Sequence, residues 1–303
     1  MDHHAPAKPT VVLAGIGGDL GGRIARALIA EGAEVRALVR RTSGMSPRHA
    51  PEIPGLTRVP VDYSDATGLS AACGGAACVV SALNGLEPVI LGVQGQLLDA
   101  AVAAGVPRFI PSDFSLDFTK TRPGDNRNLD LRRAFMARID RTPIRATSIL
   151  NGAFAELLTG AAPIVLKRPR KILYWGSADQ PLDVTTKEDV ARYTAAAALD
   201  RQAPRILRIA GDVVTPRDLA SIMSDVTGET HGLWRAGGLG RLGLAIRIVR
   251  RLTPSSDAVF PAWQGMQYLR DMASGLGKLD PLDNDRYGAR PWTSARAVLA
   301  ADA

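Results

Sequence analysis

Residues 10–24 read TVVLAGIGGDLGGRI, and this stretch decides the class of fold. Its first five residues are apolar and too few for a helix, so they predict a buried β-strand. Gly15, Gly18 and Gly21 follow in a GxxGxxG pattern, and residues 23–31 then carry apolar side chains at helical spacing. A strand, a glycine turn and an amphipathic helix in this order are typical of a dinucleotide-binding βα unit.

The glycines of this turn have separate physical tasks. Gly15 permits the tight turn, Gly18 removes a Cβ so that backbone N–H groups approach a pyrophosphate, and Gly21 lets the helix pack close to the strand. The N-terminus of the helix adds partial positive charge. A tight βα loop without a ligand is the alternative interpretation. The residues that we expect to contact the cofactor here are Gly15, Gly17, Gly18, Asp19, Leu20 and Gly21.

The end of the second predicted strand, residues 35–39, selects the cofactor. An NAD site usually places Asp or Glu there, whereas an NADP site places Arg near the 2′-phosphate. Here Arg40 and Arg41 follow the strand, with no acidic residue beside them. We expect Arg40 to make a forked, charge-assisted contact to phosphate, assisted by Arg41 or Ser43, so the cofactor is NADP(H). Two solvated arginines are the alternative.

The ends of the next two predicted strands supply further contacts, because the carboxyl ends of parallel strands meet at one edge of the sheet. Asp62 and Tyr63 follow the third strand, and we expect them to flank the adenine. Ser81 and Ala82 end the fourth strand, and we expect them near the nicotinamide ribose.

The first half of the chain continues to alternate β-branched runs with Ala- and Leu-rich segments, up to a sixth strand at residues 146–150. This alternation predicts an α/β fold, a Rossmann-type doubly wound parallel sheet. The pattern changes beyond Gly152. We expect residues 1–154 to form the NADP-binding domain and residues 155–303 a smaller, mainly helical substrate part, with residues 183–200 packing back on the sheet.

Composition excludes several classes of protein. The balance of 46% hydrophobic and 22% charged residues is that of a globular chain rather than a disordered one. No apolar run approaches the ~18 residues that span a bilayer. The first residues also lack the apolar region of a secretion signal, so we expect a cytoplasmic protein without a membrane partner. The net charge of +7 is dispersed, which disfavours nucleic-acid binding.

Two cysteines, Cys73 and Cys78, are too few for a disulfide framework, and we expect two buried thiols. Because no Cys/His cluster or acidic pair has ligand spacing, we expect no metal site. Residues 239–252 (LGRLGLAIRIVRRL) form a basic amphipathic segment. It fits either a helix on a membrane surface or a helix that packs its Leu/Ile stripe on the substrate part, and we favour the packed helix.

Five stretches of the chain resemble one family, the NmrA-like and isoflavone-reductase-like atypical short-chain dehydrogenases. The most distinctive is PSDF at residues 111–114, which looks like the PSEFG segment of that family. The resemblance implies a Rossmann domain with a smaller C-terminal part forming a cleft, NADP(H) binding that includes Pro111, and reduction of aromatic or phenylpropanoid-like substrates in the enzyme branch. The stretches that carry it are GIGGDLGGRI (15–24), ALVRR (37–41), DAAVAAGVPRFIPSDFSLDF (99–118), SILNGAFAELL (148–158) and MQYLRDMASGLGKLDPLDNDRY (266–287).

The chain departs from this pattern at the catalytic position. It contains no YxxxK motif, which excludes the mechanism of ordinary short-chain dehydrogenases. The resemblance places Arg132 near the lysine of the isoflavone-reductase branch. Arginine keeps the charge but cannot act as an acid or base, so we expect Arg132 to hold the nicotinamide ribose or a developing oxyanion. An exposed helix arginine paired with Asp130 or Asp140 is the alternative, and Lys120 is the reserve catalytic candidate.

The resemblance and their aromatic and amide chemistry suggest Asn151, Phe154, Trp263 and Tyr268 as substrate contacts, with core packing as the competing interpretation of each. Two functions remain open. The first, which we favour, is an NADPH-dependent reductase of a small aromatic, quinone-like or carbonyl substrate. The second is a non-catalytic NADP(H)-binding redox sensor that acts through a regulatory protein partner. The oligomeric state does not follow from the sequence.

Overall fold

The computed structural model describes residues 8–41, 52–160, 162–253 and 258–303. The chain divides into two compact units, each built from separate stretches. Unit 1 comprises Met1–Asp113, Ala134–Ser148 and Ala191–Ile206. Unit 2 comprises Phe114–Arg133, Ile149–Val190 and Leu207–Ala303. The functional division that we expect at residue 154 stays a prediction.

Unit 1 contains a six-stranded sheet in which every neighbouring pair is parallel. The strand order is β3-β2-β1-β4-β5-β6, so the chain moves outward from β1 in one direction and then from β4 in the other. This order confirms the predicted Rossmann-type fold, with a switch point between β1 and β4. The strands are β1 (Thr10–Ala14), β2 (Glu34–Arg40), β3 (Leu56–Val61), β4 (Cys78–Ser81), β5 (Arg108–Ile110) and β6 (Arg145–Ala146).

The helices of the first half connect these strands. Val11, Val12 and Leu13 of β1 are fully buried, as are Ile24 and Leu28 on the inner face of the first helix. This burial explains the apolar periodicity in the sequence. These helices are α1 (Asp19–Ala30), α2 (Ala66–Cys73), a π-helical turn (Pro88–Val93) that leads into α3 (Gln94–Ala103), and α4 (Arg127–Ile139). A later helix, α5 (Lys187–Leu199), follows a strand of unit 2.

Unit 2 mixes short strands with helices. Two three-stranded sheets have the orders β14-β10-β9 and β13-β11-β8, and a two-stranded sheet pairs β12 with β7. The strands are β7 (Ser148–Leu150), β8 (Ala153–Phe154), β9 (Val165–Leu166), β10 (Lys171–Trp175), β11 (Leu182–Thr185), β12 (Ile206–Arg208), β13 (Asp212–Val214) and β14 (Gly232–Gly237). The helices are α6 (Pro216–Thr227), α7 (Leu239–Leu252), α8 (Ala262–Ala273) and α9 (Ala295–Ala300).

The predicted sixth strand, residues 146–150, is two short strands instead of one. β6 pairs with β5, and the N–H of Thr147 still donates to the carbonyl of Phe109 at 3.0 Å. The next N–H, that of Ser148, donates to the carbonyl of Arg205 at 2.8 Å, because β7 pairs with β12. The apolar pattern of residues 146–150 predicts extended backbone but contains nothing that identifies the partner strand.

Arg108 explains how the end of α5 is held within unit 1. Its guanidinium is buried and donates to the carbonyl of Ala197 at 2.6 Å and to the hydroxyl of Thr147 at 2.8 Å. The carbonyls at a helix C-terminus carry partial negative charge, so a buried cation there is stabilising.

The predicted buried thiols are confirmed. Cys73 and Cys78 are both free and buried. Burial raises the pKa of Cys73 to about 11 and the pKa of Cys78 to about 12, because the thiolate loses its hydration. No helix in the described ranges has the length and apolar character needed to cross a membrane.

Candidate functional site

The glycine turn after β1 leads directly into the N-terminus of α1. Gly18 is the N-cap of α1, and its N–H donates to the carbonyl of Gly15 at 3.0 Å. A glycine has no side chain with which to cap the helix, and no side-chain hydrogen bond replaces it at this cap. The carboxylate of Asp19 instead accepts from Arg23 at 2.8 Å. The first turn of α1 therefore keeps the backbone N–H groups that bind anions at helix N-termini.

The three glycines of the motif are required for different reasons. A Cβ on Gly15 would lie 2.5 Å from the carbonyl oxygen of Ala82, and Gly15 also has a φ of +94°. A Cβ on Gly21 would lie 2.1 Å from the carbonyl oxygen of Gly15. Among the residues with described positions, a Cβ on Gly18 would meet only the carbonyl oxygen of Gly15, at an ordinary 3.4 Å. The fold itself therefore requires Gly15 and Gly21, whereas the space at Gly18 is open for a ligand.

Ser81 and Ala82 lie at the end of β4, beside the turn. Ala14 of β1 is in register with Ser81 of β4, and the N–H of Ala82 donates to Ala14 at 2.8 Å. Ser81 is fully buried, and its hydroxyl has no hydrogen-bond partner among the residues that the structure describes. Because a buried unpaired hydroxyl is costly, this atom fits a site that a polar ligand completes. Pro111 is buried directly after β5, at the same edge of the sheet.

Arg40 and Arg41 are exposed at the end of β2. The N–H of Arg41 donates to the carbonyl of Val61 at 2.8 Å, which keeps both arginines at the edge where β3 also ends. Residues 42–51, with Ser43, lie outside the described residues. Two exposed guanidinium groups at this edge suit a phosphate ester on a ribose.

Asp62 and Tyr63 follow β3 at the same edge. The carboxylate of Asp62 accepts from the hydroxyl of Ser64 at 2.6 Å and from its N–H at 2.9 Å. These hydrogen bonds lower the pKa of Asp62, and the charge of Arg41 adds to the effect. Burial raises the pKa of Tyr63 to about 12. Asp62 thus stabilises the turn that follows β3.

In unit 2, buried polar side chains hold the start of α4 against α8. The side-chain amide of Asn126 donates to Asp271 at 3.0 Å and accepts from Gln264 at 2.7 Å. The backbone N–H of Arg127 donates to the side chain of Gln267 at 3.2 Å. Sequence reasoning missed this network. Its signal was the amide and acid side chains at positions 264, 267 and 271, which share one face of an otherwise apolar helix.

Arg132 is buried within this region. Its guanidinium donates to the carbonyl of Asn128, one turn earlier, at 3.1 Å. Its Nε has no partner in the described part of the chain. The alternative of an exposed arginine is wrong, because Arg132 is buried. Of its two expected partners, Asp130 lies 3.8 Å from Arg133 and Asp140 lies 2.7 Å from Arg205.

Tyr268 is half-buried on α8, with its ring 6.2 Å from the ring of Phe260. Burial raises the pKa of Tyr268, while the nearby charge of Arg132 and a hydrogen bond from the side chain of Asn128 act in the opposite direction. Asn128 and Arg132 thus both act on the phenol of Tyr268 and lower its pKa against the effect of burial. Neither YxxxK spacing nor composition pointed to this interaction, because Tyr268 lies far from Arg132 in the sequence.

Trp263, on α8, is also buried. Two guanidinium groups contact its ring, that of Arg127 at 4.6 Å and that of Arg250 at 5.1 Å from the ring centre. Cation–π contacts of this kind stabilise the packing of a tryptophan. This environment matches the core-packing interpretation of Trp263 more closely than direct substrate contact.

Lys120 is engaged in structural contacts. Its ammonium donates to the carbonyls of Lys278 at 3.1 Å and Asp280 at 3.0 Å, and it lies 3.6 Å from the carboxylate of Asp117. Asp117 is fully buried and also accepts from Arg208 at 2.7 Å. An ammonium with these acceptors is a poor candidate for proton transfer.

Asn151 and Phe154 occupy different environments in unit 2. Asn151 is fully buried, its carbonyl accepts from Thr185 at 2.7 Å, and its side-chain oxygen has no partner among the described residues. Phe154 is half-buried, with the Lys187 ammonium 6.0 Å from its ring centre. Across the described ranges, no three His, Cys, Asp or Glu residues are grouped so that they could hold a metal ion.

Comparison with known proteins gives a consistent result. The model of the NmrA-like family matches residues 7–232. Pinoresinol reductase 1 of Arabidopsis thaliana is 29% identical over 73% of this chain and 75% of that protein. The isoflavone reductase homolog IRL of Zea mays is 29% identical over 75% of this chain and 77% of that protein.

A solved structure described as AtPrR2 with NADP+ and (+)pinoresinol has the same fold. Its TM-score is 0.82 at 21% identity, and the match covers 98% of this chain and 99% of that one. The family model spans well over half of the sequence, which confirms the resemblance noted in the glycine turn and the PSDF segment. The chain therefore belongs to the NmrA-like family.

Proposed function

We propose that this protein is an NADPH-dependent reductase of a small aromatic or phenolic substrate. The observation that carries the proposal is the glycine turn, where open space at Gly18 adjoins an uncapped helix N-terminus. The buried hydroxyl of Ser81, at the end of the neighbouring strand, supports the same assignment. The names of the relatives, a pinoresinol reductase and an isoflavone reductase homologue, support reductase chemistry.

In this proposal, unit 1 binds the dinucleotide through main-chain donors and arginines. The N–H groups at the start of α1 bind the pyrophosphate, and Arg40 with Arg41 binds the 2′-phosphate. Asp62 and Tyr63 flank the adenine, Ser81 and Ala82 meet the nicotinamide ribose, and Pro111 completes the edge. When bound, NADPH supplies a hydride to an electrophilic carbon.

The substrate side of the reaction needs a positive charge and a proton. The buried Nε of Arg132 has no partner in the described ranges, and the guanidinium always carries its charge, so we assign it the stabilisation of negative charge on a substrate oxygen. A phenol keeps its proton at neutral pH, and burial raises the pKa of Tyr268 further. We assign Tyr268 to donate that proton to the oxygen and to recover one from water. The product then has gained one hydride and one proton.

The same assignments distinguish the reductase from the competing function, a non-catalytic NADP(H)-binding redox sensor. A sensor needs the dinucleotide site of unit 1 but needs no proton donor. The commitment of Lys120 to backbone carbonyls favours neither function, since Tyr268 remains available. The presence of a buried cation beside a protonated phenol favours the reductase, because such a pair serves chemistry rather than cofactor binding.

The test combines binding and turnover. Titration calorimetry with NADPH and NADH measures cofactor choice, and we expect tighter binding of NADPH. Loss of the NADPH absorbance is then followed with pinoresinol, isoflavones, quinones and aryl aldehydes. Turnover with one of these classes supports the reductase. Tight NADPH binding without any turnover would establish the sensor instead, and no binding of either dinucleotide would overturn the site itself.

A further inference from the structure

Helix α7 has two apolar faces, of which only one packs against the part of the chain that the structure describes. Leu242 and Ile246 are buried where α7 packs against α8. The stripe formed by Leu244, Ile248 and Leu252 is exposed at 50%, 50% and 76%. The prediction that the Leu and Ile side chains of this helix pack on the substrate part is therefore right for Leu242 and Ile246. It is wrong for Leu244, Ile248 and Leu252, which are exposed.

The exposed stripe follows from helix geometry. Positions 244, 248 and 252 are four residues apart, so they lie on one side of the helix. They stand two residues from the buried pair, which is about 200° around the axis. Soluble monomers rarely expose several large aliphatic side chains on one helix face, and such a face usually marks an interaction site. Phe260, 56% exposed, adds an aromatic side chain close by in the sequence.

The charges on α7 have one sign. The helix contains four arginines at positions 241, 247, 250 and 251, and no acidic residue. Arg250 lies over Trp263, but within the described residues no carboxylate pairs with Arg241, Arg247 or Arg251. At 100° per residue, Arg247 and Arg251 lie along one side of the exposed stripe, and Arg241 lies in line with it, three residues before Leu244. The face therefore combines an apolar stripe with arginines along one margin and at its N-terminal end.

The apolar stripe together with the arginines favours an anionic lipid surface over a second copy of the chain as the partner of this face. A second copy of the chain, docked by two-fold symmetry, would bring the arginines of one α7 against those of the other, and like charges oppose that contact. An anionic lipid surface matches both features: the stripe enters the acyl boundary, and the arginines extend to the phosphates. Arg241, Arg247 and Arg251 have long aliphatic stems that permit this arrangement.

We propose that α7 is a peripheral membrane-binding element that places the protein on an anionic lipid surface. The helix lies in the plane of the interface, with Leu244, Ile248 and Leu252 inserted and its arginines at the headgroups. No part of the chain needs to cross the bilayer. The proposal is independent of the reaction, and it holds whether or not the dinucleotide is turned over.

The test uses the full chain and vesicles of two compositions, phosphatidylcholine alone and phosphatidylcholine with phosphatidylglycerol. Co-sedimentation measures the bound fraction. We expect binding to the anionic vesicles at low salt, with weaker binding as salt increases. The double variant R247Q/R251Q should bind about 25-fold more weakly, since each arginine near an anionic surface contributes about fivefold. L244S/I248S should bind at least about tenfold more weakly.

Control variants at other exposed positions distinguish binding through α7 from nonspecific binding to vesicles. V213S removes an exposed aliphatic side chain from β13, and R217Q removes an exposed arginine from α6. Neither should change vesicle binding, and all variants should keep the NADPH affinity of the parent if they are folded. No binding to anionic vesicles, or binding unchanged by both α7 variants, would overturn the proposal. A dimer in light scattering that L244S/I248S dissociates would also overturn it, because a second copy would then cover the face.

Discussion

The glycine turn in unit 1 and the Arg132–Tyr268 region in unit 2 are built in opposite ways. The turn uses main-chain atoms of residues that are adjacent in the sequence, and only the absence of side chains at Gly15 and Gly21 makes it possible. The second region uses side chains from α4 and α8, brought together by buried amide hydrogen bonds around Asn126. A local motif can therefore be identified from sequence, whereas a constellation of distant side chains needs the folded chain.

The largest expected effect is on folding, within the glycine turn. Gly21→Ala would place a methyl group 2.1 Å from the carbonyl oxygen of Gly15, so strand and helix must separate. We expect a loss of about 3 kcal/mol or more in the free energy of unfolding. Gly18→Ala, with its nearest contact at 3.4 Å, should cost less than about 1 kcal/mol. Denaturant unfolding measures both.

The glycine variants also test whether this turn binds the diphosphate of NADPH. Gly18→Ala should stay folded but bind NADPH at least about tenfold more weakly, because its methyl group occupies the space needed by the pyrophosphate. If Gly18→Ala binds NADPH as the parent does, the open space at this residue does not hold the diphosphate.

The next expected effect concerns the region of Arg132 and Tyr268, whose side chains come from α4 and α8. Arg132→Met should lower kcat by about 100-fold, since a preorganised charge in a buried site contributes about 3 kcal/mol to the transition state. NADPH affinity should change much less, if the main role of Arg132 is toward substrate oxygen. Arg138→Met is the matched control, because Arg138 lies on the same helix and contacts Asp99 at 2.7 Å. Equal kcat for the two variants would remove Arg132 from the mechanism.

Tyr268→Phe tests the proton donor through pH dependence. Burial raises the pKa of Tyr268, so the parent should keep kcat constant up to a pH above the ordinary phenol value of about 10. As pH rises through the raised pKa, the phenol loses its proton and kcat should fall. Tyr268→Phe should lose about tenfold or more in kcat at neutral pH and lack this alkaline decrease. The control Tyr174→Phe alters a half-buried tyrosine on β10. It should retain both the kcat of the parent at neutral pH and the alkaline decrease.

The smallest effect is on cofactor choice at the edge of the sheet. Arg40→Gln should weaken NADPH binding by about tenfold, as expected for one charge-assisted hydrogen-bonding group at an exposed position. NADH binding should be unchanged, because it lacks the 2′-phosphate. Arg26→Gln, an exposed position on α1, serves as the control. Equal weakening of NADPH and NADH would show that Arg40 contributes general charge rather than phosphate recognition.

Most of unit 1 could be predicted because its signals are local. The glycine spacing, the apolar run of β1 and the alternation of short strands and helices specify a parallel sheet. The divided sixth strand could not be predicted, since whether Ser148 pairs with β5 or β12 depends on where Arg205 lies. The structural use of Lys120 was also hidden, because its acceptors, Lys278 and Asp280, lie more than 150 residues away in the chain.

The amino-acid order alone determined the class of fold and the position of the anion-binding turn, because backbone geometry at glycine and apolar periodicity act over a few residues. Only the tertiary structure decided that Arg132 is buried with its Nε unpaired among the described residues, that its charge acts on Tyr268, and that one apolar face of α7 stays exposed. Those features depend on which helices pack together. Packing is set by the sum of many weak contacts across the whole chain, and no short segment records that sum.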